Sequence, residues 1–128
     1  EGTRTIVSCA PPEGIPFTCA ELVDYGDILG INSTGQVYPT DRDDAEHGRL
    51  IAGAMGESTG VVIPCYWMAI IDGFTSGAEG TAVYVSSTDG QYTATADVTT
   101  ADTNEIVGYC LTTSKILVMP GVRADSTV

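Results

Sequence analysis

The chain carries the same pattern twice. Gly26–Thr40 (GDILGINSTGQVYPT) aligns with Gly80–Thr95 (GTAVYVSSTDGQYTAT) once Asp89 is treated as an insertion, so that Ser33-Thr34 matches Ser87-Thr88 and Gly35-Gln36 matches Gly90-Gln91. The offset is 54 before the insertion and 55 after it. At 55, Ile51-Ala52-Gly53 falls on Ile106-Val107-Gly108, and Val61-Val62-Ile63 falls on Ile116-Leu117-Val118. Each half reads as a hairpin, a polar excursion, a strand running into a glycine and a closing strand. A duplicated hairpin unit is expected to close around one shared core. A chain of 128 residues suffices for one modest core, and a second is not expected.

The residue types agree with β structure. Val, Ile and Thr outnumber Leu, Glu, Arg, Met, Gln and Lys by 39 to 22, and β-branched side chains suit pleated surfaces better than helices. Short β segments separated by turn residues are predicted at Asp27–Ile31, Gln36–Thr40, Arg49–Met55, Val61–Ile71, Ala82–Ser86, Gln91–Ala96, Glu105–Leu111 and Lys115–Met119. The run Val61–Ile71 is too short to cross a bilayer as a helix and reads as one buried strand bent at Pro64. The expected fold is all-β, a small β-barrel or β-sandwich of two similar hairpin units over residues 23–128, preceded by an extended Pro-rich arm over 1–22. Pro11, Pro12 and Pro16 stiffen that arm. Its Thr5–Ser8 stretch, with Ile6 and Val7, suits addition to a sheet edge, and Ile15 and Phe17 suit anchoring in a groove of a neighbouring subunit. An arm lying over its own domain fits the same residues.

Charge excludes one class of partner. Seventeen acidic residues against five basic ones give a net charge of −12, a field that repels phosphate backbones and anionic lipid surfaces. No nucleic-acid or membrane partner is expected. Cys9, Cys19, Cys65 and Cys110 contain no CxxC spacing, and His47 is the only histidine, so no metal or other cofactor is expected. The thiols are read as free and mostly buried, with a Cys9–Cys19 disulfide across the Pro-rich loop as the alternative.

Three motifs suggest chemistry and carry little of it. Gly56-Glu57-Ser58-Thr59-Gly60 spells a nucleophile elbow, but that motif needs a strand-to-helix turn and a later histidine, and none follows here. A polar loop between strands is expected instead. Asp41-Arg42-Asp43-Asp44-Ala45-Glu46-His47 gathers four carboxylates but lacks the glycine and distal glutamate of a calcium loop, and reads as solvated. Asn32-Ser33-Thr34 is a glycosylation triplet whose simpler role is to supply turn residues. An enzyme is not expected; the least weak catalytic grouping is Asp41, Asp43 and His47 with carboxylates of another chain.

The stretch Ala82–Gly121 resembles the C-terminal β unit of tailed-phage head decoration, cement and head-fibre proteins. Val83-Tyr84, Ser87-Thr88, Gly90, Val107-Gly108, Leu111, Thr113 and Ile116 to Pro120 carry the resemblance, and Gly26-Asp27 with Gly35 extends it upstream. Cys110 stands where the family commonly has a small residue, and residues 1–20 have no counterpart. The resemblance implies a structural protein on the exterior of the virion that binds the major capsid protein, as a homotrimer, and bridges neighbouring capsid subunits. Aromatic residues favour interface cores, and Tyr25, Tyr38 and Tyr92 are the candidates for an oligomer interface, with Trp67 and Tyr84 assigned to the monomer core. An adhesion module that binds a host glycan or receptor through exposed aromatics is the alternative.

Overall fold

The computed structural model describes residues 3–42, 49–75, 77–95 and 106–120. The carboxylates at 43–46 and His47 therefore lie outside the described residues, as do 99–104. Among the described residues the secondary structure is β1 (Thr5–Ala10), β2 (Ile15–Thr18), β3 (Ile28–Ile31), β4 (Val37–Pro39), β5 (Leu50–Ala52), β6 (Val62–Tyr66), β7 (Met68–Asp72), β8 (Ala82–Val85), β9 (Tyr92–Thr93), β10 (Ile106–Cys110) and β11 (Lys115–Val118). These form two antiparallel sheets, ordered β1-β7-β11-β10-β8-β9 and β2-β6-β5-β3-β4, the two-sheet arrangement of a β-sandwich.

The repeat is visible in the topology. The order β2-β6-β5-β3-β4 recurs in the other sheet as β7-β11-β10-β8-β9, with β1 added outside β7. Within the hairpins the register recurs too: Gly30 faces Tyr38 as Tyr84 faces Thr93, and Ile31 faces Val37 as Val85 faces Tyr92. The third strand departs from the repeat, because a bulge between Ile106 and Gly108 shifts β10 against β8. Each half has become one sheet.

Three expectations require correction. The Val61–Ile71 run is two strands, since Pro64 stays within β6 opposite Pro16 while the chain leaves the smaller sheet after Tyr66 and enters the larger at Met68. Trp67 is the corner, and it is 52 % exposed rather than in the core. The single core is in fact two apolar clusters. Ile28 and Ile51 join Ala69, Ile71, Val83, Val85, Val107, Ile116 and Val118 between the sheets. Leu29, Leu50 and Ala52, on the other face of the same strands, pack with Cys19, Val23, Val37, Ile63 and Cys65. The smaller sheet can enclose that second cluster because it curls: Cys19 N–H donates to Val61 O, and Ala20 N–H donates to Val37 O, so the end of β2 touches both β6 and the far edge strand β4.

The N-terminal stretch is extended, and both its strands are edge strands of sheets in its own chain, β1 against β7 and β2 against β6. Ile6 and Phe17 pack against the two clusters, Ile15 is half-buried, and Val7 alone of the four anchor candidates is well exposed.

The two matched turn glycines differ in one testable way. Gly35 and Gly90 have positive φ (80° and 75°), a region that costs non-glycine residues roughly 1–2 kcal/mol. Nothing lies within 4 Å of a Cβ added at Gly35, whereas one added at Gly90 would lie 2.5–2.8 Å from the Asp27 carboxylate. Urea denaturation is expected to place Gly35→Ala within that range and Gly90→Ala clearly beyond it. Equal losses would contradict the packing of Asp27 on this turn.

Candidate interaction surfaces

The larger sheet has one dry face and one wet one. Its inner side chains build the inter-sheet cluster, and period-two alternation turns Met68, Ile70, Leu117, Tyr109, Ala82 and Tyr84 to the other side. Cross-strand registers place them in a row, with Ser8 opposite Ile70, Ile70 opposite Leu117, Leu117 opposite Tyr109 and Tyr109 opposite Ala82. Tyr109 is 51 % and Met119 58 % exposed, and Ile106 is also exposed. A groove of about 350 Å³ runs here, lined by Ile106, Val107, Gly108, Tyr109, Leu117 and Met119. Its floor is backbone, since Gly108 approaches the Leu117 carbonyl too closely for any Cβ. Contiguous apolar surface of this kind makes the face a candidate interaction site.

A second apolar region belongs to the smaller sheet. Leu22, Met55, Val61 and Val62 are all exposed around the segment that follows β2. Reciprocal hydrogen bonds between Val23 and Gly56 (2.8 and 2.9 Å) and from Gly60 N–H to Cys19 O (2.9 Å) hold the 55–62 loop against that segment. The Gly56–Gly60 motif is part of this loop, as expected, with Gly56 buried and residues 57–60 exposed.

The aromatics proposed for an interface separate into three situations. Tyr92 is 5 % exposed, and its hydroxyl donates to Gly26 O at 2.8 Å, so it belongs to the core and not to a surface. Tyr38 lies over Gly30, whose absent Cβ leaves room for the ring. Tyr25 stays at the surface beside β1, where its hydroxyl accepts the Ile6 N–H at 2.7 Å. Alternation along a strand turns some tyrosines inward but does not say which.

The cysteines are free. Cys9 is half-buried on β1 in the larger sheet, and Cys19 is buried at the end of β2 in the smaller one. The alternative Cys9–Cys19 bridge is not formed. Burial, and the repulsion that a thiolate here would meet from one at Cys19, push the Cys65 thiol up to about 12, a value at which it is no nucleophile.

Sequence reasoning missed the buried polar centre. Arg4 Nη2 donates to Asp27 Oδ1 at 2.6 Å, and Arg4 Nη1 donates to Gly26 O (3.2 Å) and Gly90 O (3.1 Å). Asp27 Oδ2 accepts the Asp24 N–H at 2.9 Å. One guanidinium thus holds the opening of the first hairpin to the turn of the second. Such pairing between residues distant in sequence has no local signature. Its donors are directed at the chain's own backbone and at Asp27, which makes it a structural staple.

Burial raises the Asp27 pKa above 3.8 by more than the hydrogen bonds from Arg4 and Asp24 and the Arg4 charge lower it. The native state therefore keeps this proton to higher pH than the unfolded chain. Its contribution to stability is complete below about pH 3.8 and declines as pH rises through the native pKa. The stability of the parent protein minus that of Asp27→Asn is expected to fall across this window in urea melts; a difference that rises with pH would contradict the assignment. Arg4→Met leaves the carboxylate buried without its cation and is expected to cost about 3–5 kcal/mol near neutral pH.

The chain matches no family model, no curated protein and no solved structure in comparisons with known proteins.

Proposed function

We propose that this chain is a structural virion protein that binds the outer surface of an icosahedral phage capsid and stabilises it by bridging neighbouring major capsid protein subunits. The observation that supports this reading is the presence of two apolar surfaces on different sheets of one small acidic module: the outer face of the larger sheet, and the Leu22, Met55, Val61 and Val62 region of the smaller. A bridging protein needs two places to hold, whereas a simple ligand-binding module needs one. The Ala82–Gly121 resemblance to phage decoration proteins supplies the capsid as partner. Stabilisation follows by mass action, since many copies binding only the assembled shell raise the barrier to its rupture without any turnover. Excess surface carboxylate keeps decorated particles apart.

A second reading has its own support. Trp67 stands half-exposed at the corner between the sheets, the kind of aromatic platform that stacks on a sugar ring. In that case the module is a virion-surface adhesin for a host glycan or receptor.

Sedimentation with undecorated phage heads separates the two. The protein is expected to pellet saturably, at a ratio to the major capsid subunit fixed by capsid symmetry, and Met55→Asp with Val62→Asp is expected to weaken pelleting at least about tenfold. Folded protein that stays in the supernatant, with a change in Trp67 fluorescence on adding saccharide, would replace the capsid reading by the adhesin.

A further inference from the structure

We propose that the outer face of the larger sheet binds a second copy of this chain, sheet face against sheet face about a two-fold axis. The inference builds on the reading of the module as an assembly protein and assigns one of its two apolar surfaces to self-association, so that the two capsid-holding places of a bridge are the two copies of the other surface in a dimer.

The argument is electrostatic. Two chains that each carry −12 repel one another, so they can meet only where the surface is free of net charge. Along all six strands of the larger sheet the only charged residues are Asp72 on β7 and Lys115 on β11. They are direct cross-strand partners, on the same side of the sheet as Ile70 and Leu117. The other described carboxylates, Glu13, Glu21, Asp24, Asp27, Asp41, Glu57, Glu79 and Asp89, lie outside the strands. The face therefore offers an apolar row through Ile70, Leu117 and Tyr109, bordered by one anion and one cation side by side.

That arrangement is self-complementary. A two-fold contact presents the same patch on both subunits, so Lys115 of one copy can meet Asp72 of the other twice over while the apolar rows close on each other. A basic partner would be drawn to the acidic loops instead, and an acidic one would find a single lysine. The stoichiometry is two, in place of the three copies that the phage resemblance implies.

The test uses the purified chain alone, so its outcome is independent of capsid binding. Sedimentation equilibrium is expected to give a concentration-dependent dimer, and Tyr109→Asp is expected to weaken it at least about tenfold with the circular dichroism spectrum retained. Lys115→Asp and Asp72→Lys are each expected to be monomeric or weakly dimeric, because each places like charges opposite one another. Mixing the two variants is expected to restore a heterodimer, since every cross-subunit pair then has opposite signs. A chain that is monomeric at the highest concentration reached, a trimer, or a dimer indifferent to Tyr109→Asp would overturn the proposal. So would folded charge variants that do not recover on mixing, because Asp72 and Lys115 would then act only within one chain.

Discussion

Strands β3 and β5 are apolar on both faces, and the rest of the fold is arranged to cover them. Ile28 and Ile51 look toward the larger sheet while Leu29, Leu50 and Ala52 look the other way, each essentially closed to water. A strand with two dry sides needs a layer on each. The larger sheet supplies one. The smaller sheet supplies the other from its own edges, curling until Cys19 meets Val37. Arg4 then ties the turn that opens β3 to the turn that precedes β9, so one side chain holds both halves against the shared strands.

Duplication explains why the halves end with different surfaces. Both units keep the same strand order, yet among the described residues the first is enclosed on both sides and the second on one. The difference lies in the N-terminal segments added to each ladder. Cys19 to Val23 fold across the open side of the first unit, and β1, the strand added to the second, extends its edge and leaves its face uncovered. The outward face of the second unit keeps Tyr109 and Met119 exposed and Leu117 half-buried. The proposed interaction surface thus arises from an asymmetry between two copies of one motif, without any motif of its own.

The sequence made some of this legible. The offset of 54 and 55 carried the hairpin registers, because turn length and glycine position fix which residues face each other across a hairpin. It could not carry the β10 register, because a bulge adds a residue without changing the residue types. The sheet change at Trp67 was hidden inside an unbroken apolar run: β6 and β7 both bury their odd-numbered residues, Ile63 and Cys65 in one cluster and Ala69 and Ile71 in the other, so the alternation runs through the corner without a break. The second core was signalled by ILGI and LIA, whose lack of any polar alternation is the mark of two-sided burial. Of the proposed surface, Ile106 and Met119 carry no distinguishing context in the sequence.

Native-state hydrogen exchange tests the central claim most directly, because it ranks strands by how much of the structure must open to expose them. If β3 and β5 are the shared wall, the amides of Ile28 to Ile31 and Leu50 to Ala52 that are bonded in the ladder exchange most slowly in the molecule, at the rate of global unfolding. Exchange of β3 and β5 as fast as the edge strands β1 and β9, with protection confined to the larger sheet, would contradict it.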